Sequence, residues 1–200
     1  ERDRLILSNG HIVPVRYAAM AHAGYFPIEE CMTLRKFGSR LQGHPERLRL
    51  PGMETTSGPL GEGLSQGAGI AWALRADKKP NRVYVLMGDG EQNEGSVWEA
   101  AMWAGKQKLN ALTAVIDRNN IQIDGMTEDV MPLENLRAKY EAFNWHVLEV
   151  NGNDIPAFVA AVATTQPLAR EIEHFERHVA QRAAADARVE AELGHLGAHR

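Results

Sequence analysis

A carboxylate held between two glycines, and a pair of adjacent amides further on, are the residues of this chain best suited to chemistry. Gly88-Asp89-Gly90 follows the apolar run Arg82 to Met87, and Asn119-Asn120 follows the apolar run Ala111 to Ile116. Flanking glycines tolerate unusual dihedrals and let a ligand approach the main chain. Asp89 then offers a hard anionic oxygen, and Asn119 or Asn120 a neutral amide oxygen. A helix and a strand fill the stretch between them. If both apolar runs are strands of one parallel sheet, carboxylate and amide converge on its C-terminal edge, where open α/β sheets bind ligands. Hard oxygen donors of low total charge suit Mg²⁺ or Ca²⁺, with positions left for phosphate oxygens and water. Gly-Asp-Gly and Asn-Asn are each common turn sequences; their placement at matched strand ends argues for a metal-anchored diphosphate.

Other phosphate sites are excluded. No G-x-x-x-x-G-K-[ST] occurs, and the G-x-G starts at Gly61 and Gly67 lack the third glycine of a dinucleotide fingerprint. A net charge of −4 with scattered basic residues gives no general attraction to nucleic acid or anionic membrane. The single cysteine, Cys31, rules out an internal disulfide and fits a reducing, cytoplasmic setting. No apolar run reaches the roughly 18 residues needed to span a bilayer, and no signal peptide pattern is present. The first residue is Glu1, directly before a strand-like run, which reads as a fragment or a processed start.

The elements that must position these residues follow from the apolar periodicity. With 200 residues, 44% of them hydrophobic, the chain can bury one sizeable core. Strands are expected at Arg4 to Ser8, Arg82 to Met87, Ala111 to Ile116 and His146 to Val150. Helices are expected at Val13 to Gly24, Pro27 to Phe37, Leu60 to Ala76, Gly95 to Lys108 and Pro132 to Phe143, with a long loop at Gly38 to Gly58. Strand and helix alternate, so the expected fold is α/β, a parallel sheet flanked by helices on both faces. From Asp154 onward no strand signal is read. Ile172, Phe175 and Val179 step at helical spacing, so residues 162–200 are expected to form a helical tail appended to a domain of residues 1–161.

Four segments in this order carry a specific resemblance: "LSNGH" (Leu7 to His11), "GHPE" (Gly43 to Glu46), "ETTSGPLGEGLSQGAGIAWAL" (Glu54 to Leu74) and "DRNNIQIDG" (Asp117 to Gly125). With "GDG…NN" they resemble transketolase over about Arg2 to Ala161. The length resembles the N-terminal, thiamine diphosphate-binding subunit of a split transketolase. Deoxyxylulose-phosphate synthase and the alpha subunit of 2-oxo-acid dehydrogenases share the fold and "GDG" but fit "SNGH" and "GHPE" less well. A non-catalytic remnant or interaction protein on the same fold is a further alternative.

The resemblance implies Mg²⁺–thiamine diphosphate, with Ca²⁺ as a possible substitute metal. The metal ligands would be Asp89, Asn119 and the carbonyl of Ile121, with Asn120 lying between ligands. Gly88, Gly90, Gly58, Pro59 and Leu60 would line the cofactor. His11 would sit near the diphosphate and His44 near the donor sugar. Glu94 would be a buried carboxylate paired with its counterpart across the interface between cofactor sites. The implied reaction moves a two-carbon ketol unit from a ketose phosphate to an aldose phosphate, within pentose phosphate metabolism. The glutamate that activates the cofactor's aminopyrimidine has no match here. A C-terminal subunit carrying the pyrimidine-binding domain would supply it, in an assembly with two copies of each chain. After Ala161 the sequence departs from the family: the next sheet strand, a "GKG"-like turn and a further histidine are not read in it.

Overall fold

In the computed structural model, which describes residues 2–123, 125–165 and 172–178, three parallel strands end together at one edge. They are β1 (Arg4–Leu7), β2 (Val83–Gly88) and β3 (Leu112–Arg118), in adjacent positions. Leu7 lies opposite Leu86 and Gly88 opposite Asp117, so the turns after all three strands open on the same side. The alternation of β2 explains its two-sided packing. Val83, Val85 and Met87 are fully buried on one face, while Tyr84 and Leu86 are half-buried on the other. β3 is buried on both faces along most of its length, as expected for an interior parallel strand.

The main core joins Ile6, Val85 and Ile116 to helices α2 (Glu62–Ala76) and α3 (Gly95–Gln107), whereas α1 (Val13–His22) takes no part in it. Small residues on α2 and α3 are required by close approach. A Cβ on Gly67 would come 2.4 Å from Val85 Cγ2, and one on Gly105 would come 2.0 Å from the Phe143 carbonyl oxygen. An aromatic group closes this core, with the Tyr140 ring tilted against Trp98 at 5.2 Å and edge-on to Trp145 at 5.7 Å between centroids. A second cluster covers the other face, where Leu7 meets Val13, Tyr17 and Met20 of α1. Leu41, Leu50 and Met53 join it, so the loop at Gly38 to Gly58 is anchored by side chains although it holds no regular element.

Several expected elements are shorter. In place of a helix over Pro27 to Phe37 there is one 3-10 segment, Ile28–Thr33, with no buried residue to hold a longer helix. Thr33 Oγ1 turns back to the Glu30 carbonyl at 2.7 Å, and Arg35 takes a positive φ of 61°. The helix expected over Pro132 to Phe143 starts later. β4 (Ile121–Gln122) and β5 (Gly125–Met126) form a small antiparallel hairpin, α4 (Thr127–Val130) follows, and α5 (Leu136–Ala142) is capped by Asn135, whose Oδ1 accepts from the Ala138 N–H at 3.0 Å. After β6 (Trp145–Asn151), α6 (Ile155–Thr164) opens with Asp154 accepting from the Ala157 N–H.

The tail expectation needs correction. α6 runs through the boundary set at 161, and residues 172–178 form a strand rather than a helix. This strand, β7 (Ile172–His178), lies between β3 and β6 and pairs with both in parallel, giving the order β1-β2-β3-β7-β6. The spacing of Ile172 and Phe175 suits a helix, but an open slot between two strands offers backbone partners on both sides. Tertiary context overrides local pattern in such a case. The rest of the expected helical tail, residues 166–171 and 179–200, lies outside the described residues.

Gly105→Ala is expected to destabilise the chain by about 1–3 kcal/mol, since the added methyl meets backbone and must push α3 from Phe143. Chemical denaturation measures it; unchanged stability would contradict the packing described.

Candidate functional site

The turn after β2 withdraws Asp89 almost wholly from water, at 2% exposure. An ionised carboxylate can be buried only if donors replace the lost water. Oδ2 accepts from the Asn120 N–H at 2.7 Å, Arg118 Nη1 at 3.1 Å and Thr127 Oγ1 at 3.1 Å. Oδ1 accepts from the Gly90 N–H at 2.7 Å. Oδ2 is therefore saturated, while Oδ1 keeps a lone pair. The positive φ of Asn120, 64°, aims its N–H at Asp89.

Arg118 is the cation of this group, also 2% exposed, and it pairs with Glu128 at 2.6 Å and Glu134 at 2.9 Å as well as with Asp89. Burial works against its charge, and the hydrogen bonds to Glu134 and Asp89 outweigh burial, so its pKa lies above the ordinary arginine value.

A second carboxylate, Glu91, is buried to the same extent. Its Oε1 accepts from Ser8 Oγ and from the Gly61 N–H at 2.8 Å, and its Oε2 from the Gly88 N–H at 3.0 Å. Burial raises its pKa above the ordinary glutamate range, against the opposing pull of the Ser8, Gly61 and Gly88 hydrogen bonds and of nearby His11.

The expected site residues fall around these anchors. His11 lies in the 3-10 turn Gly10–Ile12 after β1, and its side chain is exposed. His44 is also exposed, and its ring lies beside both Gly10 and Gly58: Cβ atoms built there would be 3.2 and 3.9 Å from it. Gly58 and Leu60 are half-buried and Pro59 exposed, on the loop leading into α2. Gly88 and Gly90 are half-buried. Asn119 Oδ1 accepts from the Ile121 N–H at 2.8 Å, which fixes its amide and leaves a further lone pair; no contact joins Asn119 directly to Asp89 among the described residues. Glu94 is exposed in the isolated chain, its Cβ only 2.6 Å from where a Cβ on Gly61 would be.

The donor set fits a hard divalent cation. Asp89 Oδ1, Asn119 Oδ1 and the Ile121 carbonyl are all oxygens with a single charge among them, which suits Mg²⁺ completed by phosphate oxygens. No cluster of three His, Cys, Asp or Glu side chains among the described residues could hold a metal, so any metal here relies on amide and carbonyl oxygens. Gln122 packs against Gly90 with a buried Oε1 that has no partner, and Ser57 Oγ, close to Gly10, is likewise unpartnered. Sequence reasoning missed Glu91, Arg118, Thr127 and Gln122. Arg118 and Gln122 lie inside a quoted motif and Glu91 directly follows Gly-Asp-Gly, but nothing in the spacing distinguishes a buried charge from a surface one.

A parallel sheet with a carboxylate, amide oxygens and glycine turns at its C-terminal edge is consistent with a thiamine diphosphate-type α/β domain. The family model for "Transketolase, thiamine diphosphate binding domain" matches residues 1–171, and the chain belongs to this family. It is 48% identical over 162 residues to the 6-deoxy-6-sulfo-D-fructose transketolase subunit SqwG of Clostridium sp., covering 81% of this chain and 59% of that protein. It is 49% identical over 155 residues to an apulose-4-phosphate transketolase subunit of Phocaeicola vulgatus, covering 78% of this chain and 55% of that one. The chain thus spans a little over half the length of these relatives. Transketolase from Leishmania mexicana superposes with a TM-score of 0.82 at 34% identity, covering 88% of this chain and 28% of that structure.

Two outcomes follow from the buried charges. Arg118→Met is expected to cost about 3–5 kcal/mol, because it strips a partner from buried Asp89; a denaturant midpoint close to the parent's would contradict this. For Glu91 the folded chain holds its proton more tightly than the unfolded chain. The stability it contributes is full below the unfolded pKa and is lost as pH rises through the folded one. Glu91→Gln should therefore show a flatter decline of stability with pH just above the usual glutamate range, read from melting temperatures across that window.

Proposed function

We propose that this chain is the diphosphate-binding subunit of a transketolase, holding Mg²⁺–thiamine diphosphate and acting with a second chain to move a two-carbon ketol unit from a ketose phosphate to an aldose phosphate. The observation that supports the reading is that Asp89 stands on the turn after β2 and Asn119 and Ile121 on the turn after neighbouring β3, the two turns tied by the Asn120 N–H on Asp89 Oδ2, in a chain of this family. Two relatives named as transketolase subunits support a division between chains. They are named for different sugars, so the ketose is not carried over from either.

When bound, thiamine diphosphate supplies a nucleophilic carbon that attacks a carbonyl and carries the two-carbon fragment. The chain's own residues hold and orient. Asp89 Oδ1, Asn119 Oδ1 and the Ile121 carbonyl would ligate Mg²⁺, which neutralises the diphosphate and fixes its position. Arg118 and Thr127 hold Asp89 so that Oδ1 is the oxygen left to coordinate. His11 and His44, exposed on the turns around Gly10 and Gly58, would hydrogen-bond ligand oxygens as charge develops on them. Glu94, exposed here, would pair with its counterpart from a second copy of this chain across the interface between cofactor sites, and the C-terminal subunit would contribute the carboxylate facing the pyrimidine ring. Two copies of each chain would complete the assembly, in the cytoplasm. Among the described residues, no helix is long and apolar enough to cross a membrane.

Calorimetric titration with thiamine diphosphate, with and without Mg²⁺, tests the site. Asp89→Ala should abolish the metal-dependent component, and a variant that binds Mg²⁺–thiamine diphosphate like the parent removes the assignment. The purified chain alone should show no turnover of ketose phosphate donors. Steady ketol transfer without a second subunit would contradict the division of the active site.

A further inference from the structure

We propose that Glu91 is a positioning residue that sets the geometry of the diphosphate site by tying three separate segments to one carboxylate. The inference rests on the reading of this edge as a diphosphate site. Ser8 stands at the end of β1, three residues before His11. Gly61 follows the Gly58–Leu60 loop and begins α2. Gly88 opens the turn that carries Asp89. These segments are remote in sequence, and each donates to the same side chain: Ser8 Oγ and the Gly61 N–H to Oε1, the Gly88 N–H to Oε2. The link extends one step further, since Ser8 Oγ accepts from the Gly63 N–H at 3.0 Å.

The surroundings allow little slack. A Cβ on Gly63 would come 2.3 Å from Ser8 Cβ, and one on Gly61 would meet Glu94 and Ser96 within 2.7 Å. Gly61 also has a φ of 83°, which favours glycine. The segments can approach this closely because glycines stand at the contacts, and their spacing is then set by where the two carboxylate oxygens lie. A carboxylate accepts from all three directions at once. An amide of the same size turns an NH₂ group toward one of the donors and leaves an N–H unpaired.

A negative charge this near a diphosphate would, by electrostatics alone, weaken ligand binding. Removing the charge would then tighten binding. A positioning role predicts the opposite sign, and Glu91→Gln separates the two. The full chain is compared with this variant by calorimetry with Mg²⁺–thiamine diphosphate, at a temperature where circular dichroism shows both folded. The expected result is about tenfold weaker binding, the size of one lost buried hydrogen bond. A purely structural role would lower the melting temperature and leave the affinity of the folded chain unchanged. Equal or tighter binding by the variant overturns the proposal.

Amide exchange in the ligand-free chain gives an independent reading. Exchange at Gly61, Gly63 and Gly88 should accelerate together, while Ala114 and Ile116 in β3 stay protected. If the parent itself does not bind Mg²⁺–thiamine diphosphate, the diphosphate reading falls. The exchange pattern then decides the junction alone: selective acceleration at the three glycines supports it, and uniform or absent change overturns it.

Discussion

Two carboxylates two positions apart, Asp89 and Glu91, are both withdrawn from water, and much of the functional edge is the answer to that constraint. Burying an ionised oxygen without partners costs several kcal/mol, about as much as a small domain has to spare. The chain supplies the partners from every neighbouring segment. Asp89 draws on the end of β3, on the turn after it and on α4; Glu91 draws on β1, on α2 and on β2. The two sets of donors meet at one short turn, Gly88 to Glu91. Fixing that turn therefore fixes the strand ends on either side of it.

This arrangement separates the groups that hold the edge from the groups that face outward. Asp89 Oδ2, Arg118, Thr127 and Glu91 direct their hydrogen-bonding capacity inward. Asp89 Oδ1 and Asn119 Oδ1 each accept a single hydrogen bond, and the two histidines are exposed. A site that must not reorganise on ligand binding benefits from this split, because the outward groups are aimed before the ligand arrives. Gly67 lets α2 lie close against β2, and Gly63 lets its first turn meet Ser8 just beyond β1.

Much of this was legible in sequence, for reasons that differ by element. The parallel strands were read because interior strands are apolar runs, and the placement of Asp89 and Asn119 at their ends follows from the βαβ period alone. The family was legible in four ordered motifs. The failures are instructive. Pro27 to Phe37 has enough apolar residues for a helix, yet none is buried in the 3-10 segment, so nothing sustains one beyond Thr33. The hairpin β4–β5 is too short to leave a periodic trace. β7 carries charged residues at positions where an interior strand is usually apolar, and its backbone pairing comes from neighbours that no local window includes. Glu91 and Arg118 look like ordinary surface charges in the sequence; only the fold shows that each has been surrounded by donors or acceptors.

The place of β7 bears on how the chain is made. Among the described residues, the last strand in sequence is an inner one, between β3 and β6. As the chain leaves the ribosome, β1, β2 and β3 can associate as each appears, but β6 emerges with no neighbour to join. It must wait until residues 172–178 are translated and threaded into the gap, a contact that spans about sixty residues back to β3. Non-local pairings of this kind are slow and leave strand edges open meanwhile. The half of the sheet that carries the candidate site can thus assemble early, while the far half closes only once residues 172–178 have been made.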